Sequence, residues 1–230
     1  MQQTKKASPV PAQKDAPAPP PEFQEGAIST MDAAALIGIL TDSGAPEFRK
    51  AKACQRIGEL GAKEAVPALA ALLADEHLST YARYGLEPIA DPSADEALGA
   101  ALSRLKGDPL IGVNNSIGKR RDAKASPALV TMMYGADAKV ACAAAAALGK
   151  IGGMSSAREL QTALAKTNGT TRTAVADGCL VCAERLLAAG ERDQALKLYA
   201  FLTAPDVPKP ARLAAMQGVI REETSIDRPR

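Results

Sequence analysis

Four cations fall within six residues in the stretch SIGKRRDAKASPAL: Lys119, Arg120, Arg121 and Lys124. Such a cluster could hold a phosphate or a carboxylate. Arg120 and Arg121 are the candidates for anchoring an acidic group of a partner, while Asp122 has the side chain to cap a helix start. The one histidine, His77 in ADEHLST, reads as a solvated turn residue. Away from it no Ser/His/Asp or Cys/His nucleophile can be assembled. Of the four cysteines, Cys179 and Cys182 form a CLVC motif inside a helical pattern. A redox pair would open a helix in a βαβ unit, and zinc would need further ligands. Without either context, an i, i+3 pair puts two small hydrophobes on one packed helix face. Cys54 and Cys142 lie about three repeats apart in the periodic pattern described below, too far for a disulfide.

The acidic groups Asp91, Asp95 and Glu96, and Glu191 and Asp193, sit where helices should begin and where carboxylates favour the helix dipole. The matches NNS (114–116) and NGT (168–170) to the glycosylation pattern are of a kind that arises by chance. In ALVTMMYGAD, Met132, Met133 and Tyr134 are core residues or, if outward, an adaptable apolar docking surface; Met132 and Tyr134 join the arginines as candidate partner contacts. The expectation is therefore no catalytic residue, no metal and no cofactor.

The elements that must position these residues are helical. Tryptophan is absent and aromatics make up 3%, while runs such as ACAAAAALG supply the best helix former and let helices approach closely. Closing leucines recur: ELGAKEAVPAL, PIADPSADEAL, GKRRDAKASPAL and KIGGMSSAREL end at Leu69, Leu98, Leu129 and Leu160, spaced by 29, 31 and 31 residues, and a fifth unit ends at Leu196. A fixed period in this range predicts an array of stacked helix pairs. The first helix of each pair carries AKACQRIGEL, YARYGLEPI, LIGVNNSI, ACAAAAALGKI or GCLVCAERLL. The second carries AVPALAALLA, ADEALGAALSRL, SPALVTMM, ARELQTALA or QALKLYAFL. Val66, Leu69 and Leu73 mark one apolar stripe, and Leu98, Leu102 and Leu105 another. Asp108-Pro109 reads as an N-cap followed by proline at the first helical position, and Pro67 and Pro127 fall in first turns. Gly61 and Gly152-Gly153 suit the turns between paired helices.

RIGELGAKEAVPALAALLAD and AAALGKIGGMSSARELQTAL resemble the short HEAT-like repeats of bilin-lyase-related proteins. The segment ARYGLEPIADPSADEALGAALSRLKGDPLIGVNNSIGKRRDAKASPAL is similar to planctomycete-type secreted HEAT arrays, some of which are joined to a sugar-hydrolase-like domain. The resemblance covers about residues 30–223 and brings no catalytic motif. The segment CAERLLAAGERDQALKLYAFL is longer and reads like a tetratricopeptide-style pair.

The expected fold is all-α, a right-handed HEAT-like α-solenoid over 30–223, preceded by a disordered Pro/Ala-rich linker (1–29, with six prolines in its first 21 residues) and followed by a tail (224–230). GVIREETSIDRPR reads as a fading cap or the start of a linker. The expected function is a non-catalytic scaffold for another protein or an attached domain. The resemblance leaves two alternatives: the accessory array of a secreted carbohydrate-active enzyme, or a helper of bilin attachment. With 28 basic against 26 acidic residues the net charge is +2, which argues against nucleic acid. The run Val140–Gly149 is far short of a membrane span. MQQTKKASPVPAQ reads as a mature start after loss of a signal peptide, hence an extracytoplasmic protein; otherwise a cytoplasmic one.

Overall fold

The structure, a computed structural model, describes residues 28–226. Within them lie twelve α-helices and no strand. The helices are α1 (Ala33–Thr41), α2 (Glu47–Leu60), α3 (Val66–Ala71), α4 (Ser79–Leu86), α5 (Pro92–Ala101) and α6 (Gly107–Arg120). Then come α7 (Ser126–Met133), α8 (Ala138–Ile151), α9 (Gly153–Lys166), α10 (Gly169–Ala188), α11 (Arg192–Leu202) and α12 (Lys209–Ile226). The predicted linker lies outside the described residues up to position 27; Ile28 is already buried, in a 3-10 turn ahead of α1.

Helices pack in sequence-local pairs, and each even-numbered helix from α2 to α10 also packs on the next even-numbered one. The closing leucines show why the period works. Leu69, Leu98, Leu129 and Leu160 sit on α3, α5, α7 and α9, and all four are fully buried. Removing such a side chain from water is worth roughly 1.5–3 kcal/mol, a gain no isolated helix pair could collect. The fifth, Leu196, is only half-buried; in the longer α11 the inward places go to Ala195, Leu198 and Tyr199.

Even-numbered helices meet at glycines. A Cβ on Gly58 would lie 3.3 Å from the Cα of Gly85, one on Gly118 2.8 Å from the Cα of Ala147, and one on Gly149 2.6 Å from the Gly178 carbonyl oxygen. The alanine-rich α8 buries Ala141, Ala143, Ala144, Ala145 and Ala147 between its neighbours. Small side chains thus set the spacing, in place of the large rings this chain lacks.

Asp32, Asp91 and Asp137 cap α1, α5 and α8, each accepting from a backbone N–H of the first turn at 2.9–3.2 Å. Asp122 does the same for the short 3-10 turn ahead of α7, accepting from the Lys124 N–H at 3.0 Å. Asp108 does not act as a cap: α6 starts one residue earlier, at Gly107, so Asp108 and Pro109 lie inside its first turn. A second correction concerns the C-terminus. Residues 209–226 form an 18-residue helix, α12, which the expected fading cap had left unread. Ala211, Ala215 and Gly218 supply its packed face, with Gly218 against the Tyr199 ring.

Two helix ends repeat one another closely. After α2, Gly61 is left-handed (φ 64°); its N–H donates to the Gly58 carbonyl at 3.2 Å and that of Ala62 to Ile57 at 3.3 Å. After α6, Arg121 is left-handed (φ 58°), with the same two bonds from Arg121 to Gly118 and from Asp122 to Ile117 at the same lengths. Arg121 is the one non-glycine residue with positive φ among the described residues. A side chain pays a steric penalty there that glycine avoids. Arg121→Gly is expected to stabilise the protein by about 0.5–1 kcal/mol, a melting-point rise of about 2 °C in a thermal scan. An unchanged or lower melting point would show that the arginine side chain compensates for its backbone.

Candidate functional site

The basic stretch divides into four separate fates. Lys119, on the last turn of α6, donates to the Glu87 Oε2 at 2.6 Å, and Ser116 holds the other oxygen of Glu87 at 2.8 Å. Arg120 turns inward and is 8% exposed. Its Nε and Nη2 clasp the two oxygens of Asp95 at 2.5 and 3.0 Å, and its Nη1 donates to the carbonyls of Leu86, Glu87 and Ile89 at 2.5–3.1 Å. Those carbonyls lie at the C-terminus of α4, where helix geometry leaves acceptors without intrahelical donors and a partial negative charge. Asp95 lies in the first turn of α5. Arg120 was expected to meet an acidic group of a partner; it meets Asp95 of this chain instead. Arg121 and Lys124 are exposed.

Met132 packs partly against the core, Met133 is buried, and Tyr134 is 44% exposed just past the end of α7. Partial burial, aided by the charge of Glu159, raises the Tyr134 pKa. Tyr134 lies a full helix, about 12 Å for eight residues, from the N-terminus of α7 that Arg120 precedes. The fold therefore does not bring Arg120 together with Met132 and Tyr134.

His77 is exposed in a turn whose N–H groups at 77 and 78 are held by Asp75 Oδ1. Cys179 and Cys182 are both fully buried on α10. Burial pushes Cys54 and Cys179 up to about 12, and Cys182 up to about 11. Such thiols stay protonated and behave as small hydrophobes, which is the packing role expected for CLVC. Among the described residues no group of three His, Cys, Asp or Glu side chains comes together to hold a metal. Asn114 of the NNS match is fully buried, with neither amide atom in a hydrogen bond to a described residue, and so is no glycosylation acceptor. Asn168 is exposed immediately before α10.

Two open clefts lie between packed helices. One, about 480 Å³, runs between the start of α7 and the start of α9, with Pro127 and Val130 facing Ile151 and Glu159. The other, about 540 Å³, is formed by the even-numbered helices: Arg83 and Tyr84 of α4, Lys119 of α6, Lys150 of α8 and Arg185 of α10, with Glu87 just past α4. Sequence reading missed this second cleft. Its signal was present as the Gly-Lys pair of SIGKRR recurring 31 residues later in ALGKIG, on the last turns of α6 and α8. No described helix is long and apolar enough to cross a membrane. No family model matches the chain, and no curated protein matches it in sequence.

Proposed function

We propose that the chain is a HEAT-like α-solenoid acting as a non-catalytic scaffold that binds another protein or an attached domain. The observation that carries this reading is the repeated contact of even-numbered helices through glycine and alanine, at 58/85, 118/147 and 149/178. Helices joined in register at each step present their outer residues as one continuous surface, the working part of repeat scaffolds. The chemistry of the side chains agrees with binding. The buried thiols are held protonated, and the most buried arginine of the basic stretch serves the helix junction.

The test is reconstitution. Full-length protein is used as bait, a captured protein is purified separately, and the two are mixed and run by size-exclusion chromatography with light scattering. A saturable complex of fixed stoichiometry, whose hydrogen-exchange protection falls on the even-numbered helices or on the α7–α9 cleft, is the expected result. Capture of proteins that never form a defined complex with the purified chain would overturn the reading.

A further inference from the structure

We propose that the basic cleft crossing α4, α6, α8 and α10 binds an acidic peptide segment of a partner protein; this deepens the scaffold reading and rests on it. Four cations line the cleft against a single carboxylate, Glu87. That carboxylate is already engaged by Lys119 and Ser116, and its side chain is 6% exposed. Arg83 spends its guanidinium on neutral groups: the Gly112 carbonyl and the hydroxyls of Ser116 and Thr80. Lys150 and Arg185 are half-buried and have no hydrogen-bond or ion-pair partner among the described residues. A charge held partly out of water without a counter-ion is costly, and an incoming carboxylate relieves that cost for both at once.

The walls favour a peptide. Tyr84 is 57% exposed at the edge of the cleft, its ring 6.0 Å from the Arg83 guanidinium, and Tyr81, 44% exposed, stands one turn earlier on α4. A polypeptide with glutamates or aspartates and an apolar side chain can use both features, the cations for its charge and the rings for its apolar part. A nucleic acid would call for phosphate contacts repeated over a longer track and a larger basic surplus than the chain's net +2. Here the cations converge on one cleft.

The cations also hold a fixed geometry. Lys150 follows directly on Gly149, which packs against the Gly178 backbone of α10. Arg185 lies two turns further along α10, its Cβ in the space that a side chain on Gly152 would need. The spacing of the two free cations is thus set by helix contacts, so little side-chain order is left to impose on binding.

The test measures fluorescence anisotropy of the full chain with a labelled Asp/Glu-rich peptide carrying one leucine, against the same peptide with Asn and Gln replacing its acids. The variant is Lys150→Glu with Arg185→Glu, chosen because neither side chain has an internal partner to abandon. The matched control, Lys139→Glu with Lys166→Glu, makes the same change in net charge at exposed sites on α8 and α9. Saturable, salt-weakened binding that falls at least about ten-fold in the cleft variant and about two-fold or less in the control is the expected result. Melting temperatures of both variants check folding, and Lys150→Gln with Arg185→Gln repeats the test if charge reversal unfolds the chain. Equal loss in the two variants, no saturable binding, or a single-stranded oligonucleotide that binds as tightly as the peptide would each overturn the proposal. A defined partner complex that survives the cleft variant unchanged would sink the cleft and leave the scaffold reading standing. Peptide binding at the cleft with no partner complex would sink the scaffold reading alone.

Discussion

Arg120→Ala is expected to destabilise the protein by about 3 kcal/mol, near the lower end for removing one member of a buried ion pair. The lower end applies because Asp95 keeps 28% of its side chain exposed and can recover some water. What alanine takes away is more than the pair. The carbonyls of Leu86, Glu87 and Ile89 lose their donor, and α4, only eight residues long, loses the cation at its C-terminus. A chain of this size should then melt roughly 10 °C lower. Arg120→Lys should restore less than half of that, since a single ammonium cannot clasp both Asp95 oxygens and reach three carbonyls. Asp95→Ala and the double variant complete a cycle, and a coupling of more than about 1 kcal/mol between the sites is expected. A melting point for Arg120→Ala within about a degree of the parent would show that the network is dispensable.

The same arginine shows where sequence reading stops. In sequence it is one of four cations in a row, and comparison of the turns between helices found no recurrence of that charge. Its partners are 25 to 34 residues upstream, in the preceding helix pair, so nothing local marks it as internal. The closing leucines were legible because one residue type at a near-constant spacing reports a shared core. Asp122 was legible because capping is a local act. Asp108 misled because α6 begins on Gly107, which at φ 56° takes a conformation that a motif of aspartate and proline does not reveal. The helix α12 went unread because its packed side is alanine and glycine, at 211, 215 and 218, and its exposed residues include Leu213, Met216 and Ile220. That is the reverse of an ordinary amphipathic pattern. The basic cleft was hidden for a different reason. Its cations come from four helices, and the one visible recurrence, Gly118-Lys119 and Gly149-Lys150, falls at helix ends and not in the turns that were compared.

Gly149→Ala is expected to cost about 3 kcal/mol, although it adds a single methyl group to a helix in which alanine is intrinsically favoured over glycine by about 1 kcal/mol. The new Cβ would lie 2.6 Å from the Gly178 carbonyl oxygen and 2.8 Å from its Cα, and backbone atoms in a packed helix cannot step aside as a flexible side chain can. The two helices must separate, and the buried row of α8 alanines then loses contact along its length. Gly178→Ala meets the Ala145 carbonyl at 2.8 Å and should cost a similar amount. Gly99→Ala is the internal standard: it lies in α5 with nothing within 4 Å of the added carbon, and it should stabilise by about 0.5–1 kcal/mol. Opposite signs at Gly99 and Gly149, read from urea midpoints at constant slope, would establish that close approach sets the α8–α10 spacing; equal signs would refute it. The outcome bears on binding as well. Lys150 rides on α8 and Arg185 on α10, so a methyl group that pushes these helices apart also moves the two free cations of the basic cleft. Gly149→Ala should therefore weaken the acidic peptide at temperatures where the variant is still folded, while Gly99→Ala leaves it unchanged.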